Sequence, residues 1–144
     1  MTIEELDKYR GVCANIEAIK MQIKSLYVPI SSPNGKENIG SFGNTPGNPT
    51  ERAVNEIIRL QDDLSEQLKV QVDMLKEINE WMRNVSRSDP EIAALVRFHY
   101  IAGLSWKETA RKMYGHCDDH VRLRKKVSRF LYRNQQSDTH VTNV

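Results

Sequence analysis

The stretch Gly103-Leu104-Ser105-Trp106-Lys107-Glu108-Thr109-Ala110 constrains this chain more than any other. It spells a helix stop, a helix start and a residue small enough for close packing, in that order. Glycine takes the left-handed conformation that ends a helix without a Cβ clash. Ser105 and Glu108 have capping-box spacing, so the hydroxyl accepts from a backbone N–H three residues on and the carboxylate reaches back to the cap. Ala110 leaves room for a crossing helix. Tyr114-Gly115-His116 then breaks the segment, with Gly115 as the turn residue. A further helix begins within a few residues and carries Arg122, Lys125, Lys126, Arg129 and Arg133.

The basic helix divides into two faces. With Arg122 set at zero and ~100° per residue, Lys126, Arg129, Arg133 and Lys125 fall near 40°, 340°, 20° and 300°, whereas Leu123, Val127, Phe130 and Leu131 fall near 100°, 140°, 80° and 180°. A merely solvated helix face would mix Glu with Lys for i,i+4 pairing. This one is almost all of one sign. Charge along the chain follows suit: residues 86–134 hold 11 Lys/Arg against 5 Asp/Glu, whereas residues 1–85 hold 10 against 13. The overall net charge of +2 hides an acidic part and a basic part. Clustered cations that displace counterions from phosphates are the main source of non-specific nucleic-acid affinity.

At 144 residues the chain has room for one ordinary domain, or a small one plus an arm. Hydrophobic content of 39% and charged content of 28% suit elongated helices better than a large core. No apolar run approaches the ~20 residues that span a bilayer, and the acidic start Met1-Thr2-Ile3-Glu4-Glu5 is not a signal peptide. A cytoplasmic protein without a membrane partner is expected. Cys13 and Cys117 form no CxxC pair and are expected as free thiols. Cys117, His116 and His120 lack a fourth ligand at zinc spacing, so no metal or cofactor is expected. With no phosphate-cradling glycine loop and no nucleophile–base pair, neither is an enzyme.

Upstream, Val12, Ile16, Ile19, Ile23 and Leu26 recur at helical spacing and predict a helix from Glu4 to about Tyr27. Val28 to Thr50 is a loop with four Gly and four Pro in 23 residues. So long a loop is unusual inside a compact domain, and suggests disorder or a segment that folds on a partner. Thr50 caps a long helix to about Val85, with a seam at Val54, Ile57, Leu64, Leu68, Leu75, Ile78, Met82 and Val85. Gln61 and Gln71 interrupt that seam, either buried to fix register or wet at its edge. Two helices of roughly 36 and 50 Å make the fold class all-α: an antiparallel helical hairpin, or arm, over 1–85, then a helix-turn-helix head over 86–134 and a flexible polar tail over 135–144. Ser88-Asp89-Pro90 starts the head. Ile92, Leu95, Val96, Phe98, Tyr100 and Ile101 supply its core, and Trp106 is assigned to packing.

The residues Val96-Arg97-Phe98-His99-Tyr100-Ile101-Ala102-Gly103-Leu104-Ser105-Trp106-Lys107-Glu108-Thr109-Ala110 resemble the fourth region of bacterial sigma factors. With Ser31-Ser32-Pro33 and Ala53-Val54-Asn55-Glu56-Ile57-Ile58-Arg59-Leu60, the chain is similar over nearly its whole length to phage and prophage late transcription regulators of the ArpU/RinA-like type. The resemblance implies a promoter-acting regulator, an activator of late genes working with host RNA polymerase. Two departures stand out. The turn Met113 to Asp119 is a residue longer than in many such heads, which leaves the register of the recognition helix open by one position. Thr109 stands where an aliphatic residue is usual.

Taken together, a sequence-specific reader of double-stranded DNA is expected, with the helix from about 118 to 134 in the major groove. Asp119, His120, Arg122, Lys125 and Lys126 are candidates to read base edges, and Arg124, Arg129, Arg133, Lys107 and Lys112 to hold phosphates. The arm offers a homodimer contact. Two alternatives from other classes are a small-terminase-like packaging protein, which would form a ring, and a protein-interaction module whose basic face meets an acidic protein.

Overall fold

The structure, a computed structural model, describes residues 1–27 and 50–141, with 138–141 as backbone alone. The described residues are all-helical, without a strand. The elements are α1 (Ile3–Tyr27), α2 (Glu51–Ser88), α3 (Pro90–Val96), a π-helical segment (Arg97–Ile101), α4 (Trp106–Tyr114) and α5 (His120–Val141). The Gly/Pro-rich stretch expected over 28–50 lies outside the described residues except for Thr50. That residue caps α2, its Oγ1 accepting from Ala53 N at 3.3 Å.

Two compact units share these helices. One comprises residues 1–12 with 71–144, the other residues 13–70. The division differs from the expected boundary between Val85 and Ser86. No break falls there: α2 continues to Ser88, and Ile78, Met82 and Val85 are buried. Leu6 and Tyr9, which the apolar stripe of α1 had not included, are buried too.

In the second unit the buried side chains are Ile16, Ile19, Ile57 and Leu60. The seam of α2 departs from the expected one. Ile57, Leu60, Leu64, Gln67 and Gln71 are the covered positions, spaced alternately by 3 and 4. Val54 and Leu68 are instead 40% and 39% exposed, and Gln61 is exposed while Gln71 is half-covered. The apolar identity of Leu68 misdirected the reading by one position, because a stripe kept to a 3.5-residue repeat passes through Gln67.

In the first unit, local chemistry sets each boundary. Asp89 caps α3, accepting from Ile92 N at 3.2 Å, and Pro90 occupies the first turn, where its missing N–H costs nothing. After Val96 the helix widens: Ala102 N donates to Arg97 O at 2.8 Å and Leu104 N to Phe98 O at 3.0 Å. The first bond closes over five residues and the second over six, a widening that is rare and was not expected from the pattern. Gly103 then takes φ 80° and ends the segment. Ser105 and Glu108 make both bonds of the capping box, at 3.1 and 3.0 Å. Gly115, at φ 82°, ends α4 with its N–H on Arg111 O.

α4 packs on α5, α3 packs on α5, and the π-helical segment touches α3 and α4. Ala110, Leu123, Val127 and Leu131 are at most 1% exposed at the centre of this cluster. Thr109 is fully buried and its Oγ1 has no hydrogen-bond partner.

Candidate nucleic-acid interface

The start of α4 is held from three sides. His99 is 5% exposed, and its ring stacks on Trp106 with centroids 3.9 Å apart and planes at 19°. Its Nδ1 lies 2.7 Å from Leu104 O, which fixes the Nδ1–H tautomer because the carbonyl can only accept. Arg10, on α1, donates to Gly103 O at 3.3 Å and to Leu104 O at 3.4 Å. Burial, with the Arg10 charge second, holds the His99 pKa below its ordinary 6.5, which favours the neutral ring. Burial also pushes the Tyr100 phenol up to about 12.

Glu91, in the first turn of α3, joins three helices. It accepts from the Tyr114 hydroxyl at the end of α4 and from Lys126 Nζ, at 2.5 Å, on α5. The Lys126 hydrogen bond, then that of Tyr114, holds the Glu91 carboxyl below the usual carboxylate range. The same contact pushes Tyr114 up to about 12.

α5 begins at His120 and runs to Val141, past Asn134, where a polar tail was expected. Asp118 and Asp119 precede it. With Leu123 set at zero and ~100° per residue, Val127 and Leu131 lie near 40° and 80°, while Lys125, Arg129, Arg122 and Arg133 lie near 200°, 240°, 260° and 280°. All four of these cations are exposed. Lys125, Arg129 and Arg133 make no ion pair with a described residue, whereas Arg122 Nη2 lies 3.3 Å from Asp119 Oδ2. Arg129 shares a groove of about 380 Å³ with Ile3, Glu4 and Tyr132.

The expected site residues therefore separate. Lys126, expected at base edges, has its ammonium on Glu91. Asp119 and Arg122 occupy each other. His120 is half-buried, with Nδ1 2.9 Å from Cys117 O, so that edge of the ring serves the turn. Arg124 lies near 100°, on the opposite flank from the strip, and its charge acts on His99 and Tyr100. Lys107 and Lys112 are both exposed on α4, but at this spacing they point ~140° apart. Neither Cys13 nor Cys117 is in a disulfide, and no group of metal-ligating side chains occurs among the described residues. No described helix is long and apolar enough to cross a membrane.

Sequence reasoning missed Glu91 and Arg10. Neither stands in a motif, and their partners lie 23, 35 and up to 94 residues away. No family model, curated protein or solved structure matches this chain.

Proposed function

We propose that the protein is a sequence-specific DNA-binding transcription regulator of the phage late-gene type, in which α4, the following turn and α5 act as a helix-turn-helix. The observation that carries this reading is the exposed strip of Arg122, Lys125, Arg129 and Arg133, opposite the buried Leu123, Val127 and Leu131. A helix of 22 residues is roughly 33 Å long. One presenting cations over ~80° of its circumference fits a major groove about 12 Å wide. The first turns read base edges through Lys125 and Arg122, the latter once it leaves Asp119. Arg129 and Arg133 hold phosphates further along.

Activation with host RNA polymerase, a cytoplasmic location and a homodimer form the rest of the proposal. The exposed Val54, Ile58 and Leu68 of α2 supply apolar surface for the dimer.

Selection of bound duplex from a random pool, followed by a salt titration on the selected sequence, tests the reading. Enrichment of one motif and a log–log salt slope near −0.9 per phosphate neutralised are expected. A pool that stays random, with no salt-dependent binding, overturns it in favour of an acidic protein partner. Assembly into a ring of about eight or more subunits would favour packaging.

A further inference from the structure

Lys126 belongs to the basic helix by sequence and to α3 by contact. Near 300° it borders the strip that ends with Arg133 near 280°. Its side chain is 43% exposed and that of Glu91 37% exposed, so both groups remain within reach of an approaching polyanion. The hydroxyl of Tyr114 occupies the second carboxylate oxygen of Glu91, which fixes the plane of the carboxyl group. The fold therefore spends a cation of its phosphate-facing helix on an internal carboxylate. A helix optimised for affinity alone would leave that lysine free, since each phosphate neutralised adds binding regardless of sequence.

We propose that Glu91 is a positioning residue that limits the general DNA affinity of α5: by holding the Lys126 ammonium against α3, it withholds one sequence-independent phosphate contact from that helix. This rests on the DNA-binding reading. Glu91 touches no DNA in it and acts through Lys126. The consequence is a lower affinity for every duplex by the same factor, while the contacts of Lys125 and Arg122 to base edges are untouched. Discrimination between operator and random DNA is a difference of affinities, so a term that all sequences share cancels from it, and Glu91 sets how strongly and over what salt range α5 holds DNA, leaving the choice of sequence to the base contacts.

The test compares the full-length wild type with Glu91→Gln, Lys126→Ala and the double variant Glu91→Gln/Lys126→Ala, on random-sequence duplex across a range of salt. Glutamine keeps an oxygen for Tyr114 but not the charge that holds Lys126. Glu91→Gln is expected to bind random duplex more tightly than wild type, with a log–log salt slope steeper by about 0.9, the value for one extra phosphate. Damage to the fold would instead weaken binding, so a gain separates the two, and thermal melting of each variant confirms folding.

The double variant decides whether Glu91 works through the lysine. The gain in slope should vanish when Lys126 is absent. A slope unchanged in Glu91→Gln, or a gain of equal size in the Lys126→Ala background, overturns the proposal and leaves DNA binding intact. A wild type with no affinity for any duplex brings down the DNA reading and this proposal together.

Discussion

The imidazole of His99 lies flat on the indole of Trp106, 3.9 Å between centroids, while its Nδ1 meets the carbonyl of Leu104 at 2.7 Å. One ring thus joins the middle of the π-helical segment, the turn and the first residue of α4. The surroundings favour a neutral ring. Burial, Arg10 and Arg124 oppose a proton on it, and together they outweigh the Leu104 hydrogen bond and Asp7, which favour one.

The pH dependence follows from that balance. His99 has a folded-state pKa below its ordinary 6.5, so its contribution to stability is fully present above the unfolded value. Below about 6.5 the unfolded chain takes up a proton that the folded chain does not, and stability falls until the folded pKa is reached. Wild type should lose melting temperature on acidification from pH 7 to 5. His99→Phe, which keeps the stack and cannot titrate, should be less stable at pH 7 by about 1 kcal/mol for the lost hydrogen bond and should show a flatter profile over that interval. Equal slopes for the two proteins would assign the acid sensitivity to another group.

Arg10 reaches the same turn from α1. Its bonds to Gly103 O and Leu104 O are long, at 3.3 and 3.4 Å, and partly exposed. Arg10→Met retains most of the stem and removes both. A loss of about 1 kcal/mol in denaturant unfolding is expected. Because the Arg10 charge helps to hold the His99 pKa down, the variant should also raise that pKa, read from the imidazole proton resonances during an NMR titration. An unmoved His99 titration would show that the guanidinium does not act on the ring.

How much of this was legible in the sequence depends on distance along the chain. The capping box of Ser105 and Glu108, the left-handed Gly103 and Gly115, and the Asp89-Pro90 start all act within a few residues, and each stood in plain view. The apolar stripe Leu123, Val127 and Leu131 was legible for the same reason, since helical spacing alone sets it. The seam of α2 was legible only in part, because Leu68 resembles a core residue while Gln67 holds the covered position. The π-helical closure between Arg97 and Ala102 leaves no mark in residue type. The hold of Glu91 on Lys126 depends on α3 and α5 meeting, which only the packed molecule fixes. For that reason the periodicity placed Lys126 beside the basic strip and gave no sign of its contact with Glu91.

Thr109 offers a stabilising substitution. Its Oγ1 is buried without a hydrogen-bond partner, between positions that pack α4 on α5. An unsatisfied buried hydroxyl costs about 1–3 kcal/mol relative to a satisfied one. Valine has nearly the same shape and no polar atom. Thr109→Val should raise unfolding stability by about 1 kcal/mol, with a higher denaturant midpoint at constant slope. A lower midpoint would mean that the hydroxyl is satisfied in solution by water.

The cations of α5 should divide into classes under the DNA reading. Lys125, Arg129 and Arg133 are exposed and unpaired with any described residue, so each is open to the groove. Arg129→Ala and Arg133→Ala should weaken selected and random duplex about equally, each reducing the steepness of the salt slope by about 0.9. Lys125→Ala, nearer the start of the helix, should cost about 1–3 kcal/mol on the selected sequence and less on random DNA if it meets a base edge. Arg124→Ala, on the other flank, should leave both nearly unchanged. The ordering is set by the angular position of each residue around α5 and by which of them already has a partner. A series in which Arg124→Ala matches Arg129→Ala would place DNA on a different face of the helix from the one exposed between Lys125 and Arg133.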